Sequence, residues 1–204
     1  MVIVLLVSIS LGSVAIPIDE IIAILLGNNS SKSSWSTIIL HFRLPKAITA
    51  MLVGSGLSIA GLLMQTLFKN PLAGPFVLGI SSGASLGVAI LILGAGIFGG
   101  VLTTVSFSSW GLAIASSLGA AIVLLAVLIT AHKVKNTMSI LIIGLMFGTV
   151  TSAIISVFTF FSDAEKIQQF VFWGFGSLGN LSWNEILVFF IIYLISILTL
   201  LNVI

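Results

Sequence analysis

Six stretches of this chain, residues 1–16, 47–68, 76–98, 112–131, 138–161 and 186–204, contain no Asp, Glu, Lys or Arg. A bilayer core about 30 Å thick is crossed by roughly 20 apolar residues in helical form. Lipid offers no partner for backbone N–H and C=O groups, so only helices and closed barrels can span it. Residues alternating apolar and polar, as a membrane barrel requires, do not occur. With 59% hydrophobic and 6% charged residues, the 204-residue chain has too little polar surface to clothe a core in water. The expected fold is all-α: a polytopic transmembrane helical bundle of six spans, forming one membrane domain over residues 1–204.

Residues 1–16 have a second reading, a cleaved signal peptide with Ser13-Val14-Ala15 as the cleavage site. Such peptides open on positive charge, and no Lys or Arg precedes Lys32; a retained helix is the reading taken. The chain has no cysteine, which excludes disulfides and thiolate metal sites. A net charge of +2 gives no electrostatic footprint for nucleic acid.

The charges sit between the spans. Counting alternate loops, Lys32, Arg43, Lys46 and Lys166 lie on one side and Lys69, Lys133 and Lys135 on the other. The positive-inside rule counts these residues, and four against three does not orient the chain. Ser182-Trp183-Asn184-Glu185 and Ser162-Asp163-Ala164-Glu165 both have the S-x-x-E spacing of a capping box. The second predicts a short helix over 166–172. Pro17-Ile18-Asp19-Glu20, followed by Ile21, Ile22, Leu25 and Leu26, predicts a short interfacial helix, and residues 28–36 read as a polar loop. Trp35, Trp110, Trp173 and Trp183 lie near span ends, where amphipathic rings favour the headgroup layer.

Gly79, Gly83 and Gly87 recur at i, i+4 and i+8, forming a smooth stripe on the third span. Gly56 with Ala60, and Gly144 with Gly148, repeat the spacing on the second and fifth. Such stripes let helix backbones approach closely in lipid. The alternative role for them is lining a moving pathway.

Two apparent motifs fail. Gly174-Phe175-Gly176-Ser177-Leu178-Gly179 matches G-x-G-x-x-G, but no buried strand precedes it and no βαβ unit surrounds it. A turn between membrane segments is expected instead. His41 and His132 have no acid or second histidine at ligand spacing, so neither a metal site, a cofactor nor an enzymatic activity is expected.

The uncharged spans bear on mechanism. Proton- and sodium-coupled carriers keep ionisable groups at mid-membrane, and none is present here. Nor is there a G-x-x-x-x-G-K-[ST] phosphate loop. Active transport would therefore draw its energy from another subunit. A neutral pathway is expected, with Gln65, Ser81, Ser82, Ser85 and Met146 as candidate lining residues. For each serine the competing reading is a hydrogen bond to a carbonyl of its own helix.

Arg43-Leu44-Pro45-Lys46, Gly61-Leu62-Leu63-Met64-Gln65, Asn70-Pro71-Leu72-Ala73 and Leu78-Gly79-Ile80-Ser81-Ser82-Gly83-Ala84 occur in that order. Residues 137–144 and the segment from Phe172-Trp173-Gly174 to Ser182-Trp183 lend weaker support. Together they resemble the FecCD-type permeases, the membrane subunits of ABC importers for iron–siderophores, haem or cobalamin. The resemblance covers essentially the whole chain. It implies a permease subunit of a type II importer, working in the bacterial cytoplasmic (inner) membrane as a homodimer with an ABC ATPase dimer and a periplasmic or lipid-anchored substrate-binding protein. It places residues 19–46 and 163–182 on the periplasmic face and residues 69–75 and 132–137 on the cytoplasmic face. Arg43 and Lys46 fall at positions that meet acidic residues of the binding protein, and lipid headgroup anchoring is their alternative. Lys46 stands where Arg is common, keeping the charge and losing the bidentate fork. Asn136, Thr137 and Ser139 match a cytoplasmic gate. Family members have about ten helices, so the resemblance also implies an N-terminal fragment or a truncated product. The rival readings are a non-transporting fragment and a small ion-coupled carrier or channel.

Overall fold

The computed structural model describes residues 2–28, 31–94, 108–134, 137–179 and 181–203, with the side chains of residues 2, 3, 137 and 203 outside that description. Every described regular element is helical. In chain order they are α1 (Val2–Ser10), α2 (Ile18–Leu25), α3 (Ser33–Thr37), a π-helical segment (Ile38–Arg43), α4 (Leu44–Phe68), a 3-10 turn (Pro75–Leu78), α5 (Ile80–Ile92), α6 (Ser109–Ala131), α7 (Thr137–Phe160), α8 (Ala164–Phe175) and α9 (Trp183–Val203).

Among the described residues four helices are long and apolar enough to cross a membrane: Ser33–Phe68, Ser109–Ala131, Met138–Phe160 and Trp183–Asn202. The expected count of six is therefore approximate. Within the described part of the first stretch only the nine residues Val2–Ser10 are helical. The described part of the third stretch is the 3-10 turn plus the 13-residue α5, and residues 95–98 lie outside the description. The second span does not begin at residue 47, nor does the polar loop reach residue 36. Helix starts at Ser33 and continues through the π segment into α4, for 36 residues in all. At about 1.5 Å per residue this helix is longer than a bilayer core is thick.

The chain groups into two compact units, Met1–Ser58 with Ser177–Ile204, and Ile59–Gly176. In the first, Ile9, Ile16, Ile21, Ile24, Ile39 and Ala47 form one buried cluster. The expected short helix forms as α2 and buries Ile21 and Ile24 there, whereas Ile22 and Leu25, and Leu26 at its C-cap, are exposed. Trp183 Nε1 donates to Leu40 O at 3.1 Å, and Tyr193 Oη donates to Ser55 Oγ at 2.9 Å. These pairs advance together along both helices, so α9 runs parallel to the long helix.

In the second unit α5 is the central helix. Gly83 and Gly87 meet Gly119 and Ala115 of α6 in reverse order, so that pair is antiparallel. Gly79 lies against Gly144, and Ser162 Oγ donates to Leu93 O at 3.3 Å, so α5 and α7 run parallel. The amphipathic α8 packs Ile167, Phe170 and Trp173 on Val88, Ala89, Ile92 and Leu93. It spans Ala164–Phe175, longer at both ends than the expected 166–172.

The two capping signals part company. At α9, Ser182 N donates to Glu185 Oε2 at 2.7 Å and Glu185 N approaches Ser182 Oγ at 3.5 Å, the reciprocal box. At α8 the N-cap is Asp163, without a side-chain cap bond. Ser162 instead donates back to Phe158 O at 2.7 Å and across to Leu93 O. It belongs to the end of α7. The glycine motif is also resolved locally: Gly174 is inside α8, and Gly176, at φ +72°, ends it.

Candidate functional site

Two places in the fold hold the candidate residues, one in each unit. In the first unit, α1 ends at Ser10 and leaves its last carbonyls without intrahelical partners. The half-buried Arg43 supplies them. Its Nη1 donates to Ile9 O at 2.7 Å and Ser10 O at 3.0 Å, and its Nη2 donates to Val14 O. A cation also suits the negative end of the helix dipole. The guanidinium lies so close to Gly12 that a Cβ there would stand 2.6 Å from Nη2. Beside it opens a cleft of about 740 Å³ whose lining includes Ser8, Leu11, Ser13, Phe42, Arg43 and Lys46. Lys46 is exposed. The lining holds two cations and no acid, so the cleft favours an anionic group.

In the second unit, α4 ends in a turn built on Lys69, whose φ of 48° is left-handed. Asn70 N donates to Gln65 O at 3.1 Å, and Asn70 Oδ1 accepts from Leu72 N at 2.9 Å. Gln65 Nε2 donates to Pro71 O at 3.0 Å, bracing the turn from the helix side. Gly79, at φ 74°, then ends the 3-10 turn and begins α5. Phe68, Ala73 and Leu78 bury together with Val123 and Val127, and Ile140 and Leu141 pack on that cluster. The turn after α4 is thereby packed against the end of α6 and the start of α7.

The remaining candidates line up around this frame. Ser81 is exposed, while Ser82 and Ser85 are half-buried. Ser82 Oγ donates to Gly79 O at 3.0 Å, the intrahelical bond that was the competing reading for these serines. Met146 is 61% exposed on α7. Ser139 is half-buried in the first turn of α7, Thr137 begins that helix, and Asn136 lies outside the described residues. Gly83 and Gly87 sit where α5 and α6 touch. A Cβ on Gly83 would fall 2.7 Å from Gly119 O, and one on Gly87 would collide with Ala115 O.

Four residues make contacts that escaped the sequence reading. Gly119 and Ala115 face Gly83 and Gly87; with Gly111 they repeat the i, i+4, i+8 spacing on the next helix, a signal that could have found them. Gly12 makes room for Arg43, and Trp183 reaches Leu40. Both depend on partners far away in the chain, and no local pattern marks them.

The comparisons with known proteins agree with this architecture. The profile of the FecCD transport family matches residues 1–204. The chain is 39% identical over 165 residues to a Helicobacter pylori protein named "Probable iron chelatin transport system permease protein", covering 80% of this chain and 47% of that one. It is 33% identical over 161 residues to the Escherichia coli vitamin B12 import system permease protein BtuC, covering 76% and 47%. A solved structure described as "An inward-facing conformation of a putative metal-chelate type ABC transporter" superimposes with a TM-score of 0.77 at 28% identity, over 97% of this chain and 57% of that chain. The chain thus spans about half the length of the curated relatives it matches. Profile, relatives and superposition agree, and this multi-pass membrane chain belongs to the FecCD transport family.

Proposed function

We propose that the chain is part of the permease subunit of a type II ABC importer that moves an iron chelate, haem or cobalamin inward across the bacterial cytoplasmic membrane. The observation that carries this reading is the family match over all 204 residues, joined to relatives named for iron chelatin and vitamin B12 transport. ATP hydrolysis resides in a partner ATPase dimer. A substrate-binding protein delivers the ligand, and two permeases form the membrane unit. The cationic cleft beside Arg43 and Lys46 supports a docking role for that face, because acidic side chains of a binding protein would complement it. The two cations differ in the reading: Arg43 shapes the cleft and Lys46 presents the accessible charge. The packing of the turn after α4 against the start of α7 supports a gate at Asn136, Thr137 and Ser139, whose short side chains can close without sealing a charge in the pore. In this reading Ser81, Ser85 and Met146 furnish a weakly binding pathway suited to a bulky ligand, while Gln65 and Ser82, the other two candidates, have their donors on Pro71 O and Gly79 O.

The test is uptake in proteoliposomes by a full-length permease carrying this segment, reconstituted with its ATPase and binding protein. ATP-dependent accumulation of a ferric chelate or cobalamin is expected. Uptake driven by an ion gradient without ATP would establish the carrier reading instead.

A further inference from the structure

Pro45 has no N–H and stands two residues beyond Arg43, the last residue of the π segment Ile38–Arg43. In that segment the Leu44 amide donates to Ile39 O, five residues back. Continued by one residue, the same pattern would pair residue 45 with Leu40 O, and Pro45 cannot make that bond. The Leu40 carbonyl is instead met by the Trp183 indole, with Nε1 at 3.1 Å. In ordinary α register the orphan would be a different group. Leu44 N would pair with Leu40 O, and Pro45 would fail His41 O. Pro45 therefore strands one carbonyl in either register, and the register decides which.

We propose that Trp183 selects the register of this turn, so that the start of α9 acts as a latch on the long helix. With the indole on Leu40, the π register has its stranded carbonyl satisfied. With the indole withdrawn, Leu40 O reclaims the Leu44 amide, the turn tightens to α, and the helix on one side rotates against the other by about one residue, roughly 100°. Arg43 ends the π segment, and its guanidinium holds the last carbonyls of α1. The rotation carries Arg43 off those carbonyls and releases the wall of the cleft. The latch thus couples the chain segment before α9 to the cleft through one helical turn. This inference does not depend on the transport reading, since every group in it lies within the first unit.

The chain lacks cysteine, so spin labels can be placed at will. Labels at Phe42 and Leu187, which are 62% and 58% exposed, report the register of the turn against α9 by pulsed electron spin resonance in nanodiscs. A single main distance is expected for the otherwise unaltered protein. Trp183→Phe, which keeps an aromatic ring and loses the donor, raises a second distance population by roughly fivefold, the effect of one ordinary hydrogen bond. Pro45→Ala restores an N–H and makes that second distance the main one, and adding Trp183→Phe to it changes nothing further. Distances unchanged in both single variants would overturn the proposal. So would additive shifts in the double variant, because a ring that merely buttresses α9 would act independently of residue 45. Pro45→Ala adds a donor and removes none, so it carries the test alone if the Trp183 variant fails to insert.

Discussion

Arg43 shows how one side chain can be drawn into structure by a helix end. Three carbonyls from Ile9, Ser10 and Val14 converge on its guanidinium, and each such charge-assisted bond contributes about 1.5–3 kcal/mol where it is shielded from water. Arg43→Gln is expected to free residues 11–14, with maleimide labelling of a cysteine placed at Ser13 rising several-fold and Lys46→Gln leaving that rate unchanged. Equal labelling in the two variants would remove Arg43 from its capping role. The sequence marks Arg43 as a cation of a recognisable motif, but its partners lie 29–34 residues earlier in the chain. Only folding brings them within reach.

At the scale of elements, small residues decide how near two helices come. Gly83 and Gly87 let α5 meet α6 backbone to backbone, and no side chain fits between them. Gly87→Val is expected to cost about 1–3 kcal/mol by overpacking, read as a lower midpoint in detergent unfolding. Gly61→Ala provides the contrast. Nothing lies within 4 Å of its Cβ position, so the exchange should be neutral or stabilise by up to about 1 kcal/mol through helix propensity. The capping signals make a second contrast. Ser182→Ala should cost about 1 kcal/mol and speed amide exchange in the first turn of α9. Ser162→Ala should leave the start of α8 unaltered, because Asp163 is the N-cap there and Ser162 bonds backward. Both tetrapeptides read alike in sequence. What separates them is whether the serine is still held by the preceding helix, and α7 continues to Phe160.

For the whole molecule, the cationic cleft carries the prediction about partners. In a full-length permease, Arg43→Glu combined with Lys46→Glu should weaken association with the substrate-binding protein by at least tenfold at low salt, as charge reversal at an interface does. Unchanged affinity in a pull-down or by surface plasmon resonance would remove this face from docking. Much of the molecule was legible beforehand because its solvent is a bilayer. Hydrocarbon tolerates neither free charge nor unpaired backbone, so runs free of Asp, Glu, Lys and Arg mark where helices must run. That physics determined, from sequence alone, the helical class, the membrane setting and the approximate positions of the long helices. It could not determine where helices break, since a break depends on whether some distant group can satisfy the freed carbonyls. The stop of α1 at Ser10 relies on Arg43, and the π segment before Pro45 relies on Trp183. Those choices belong to the tertiary structure, because a hydrogen bond between residues far apart in the chain exists only once the helices have packed.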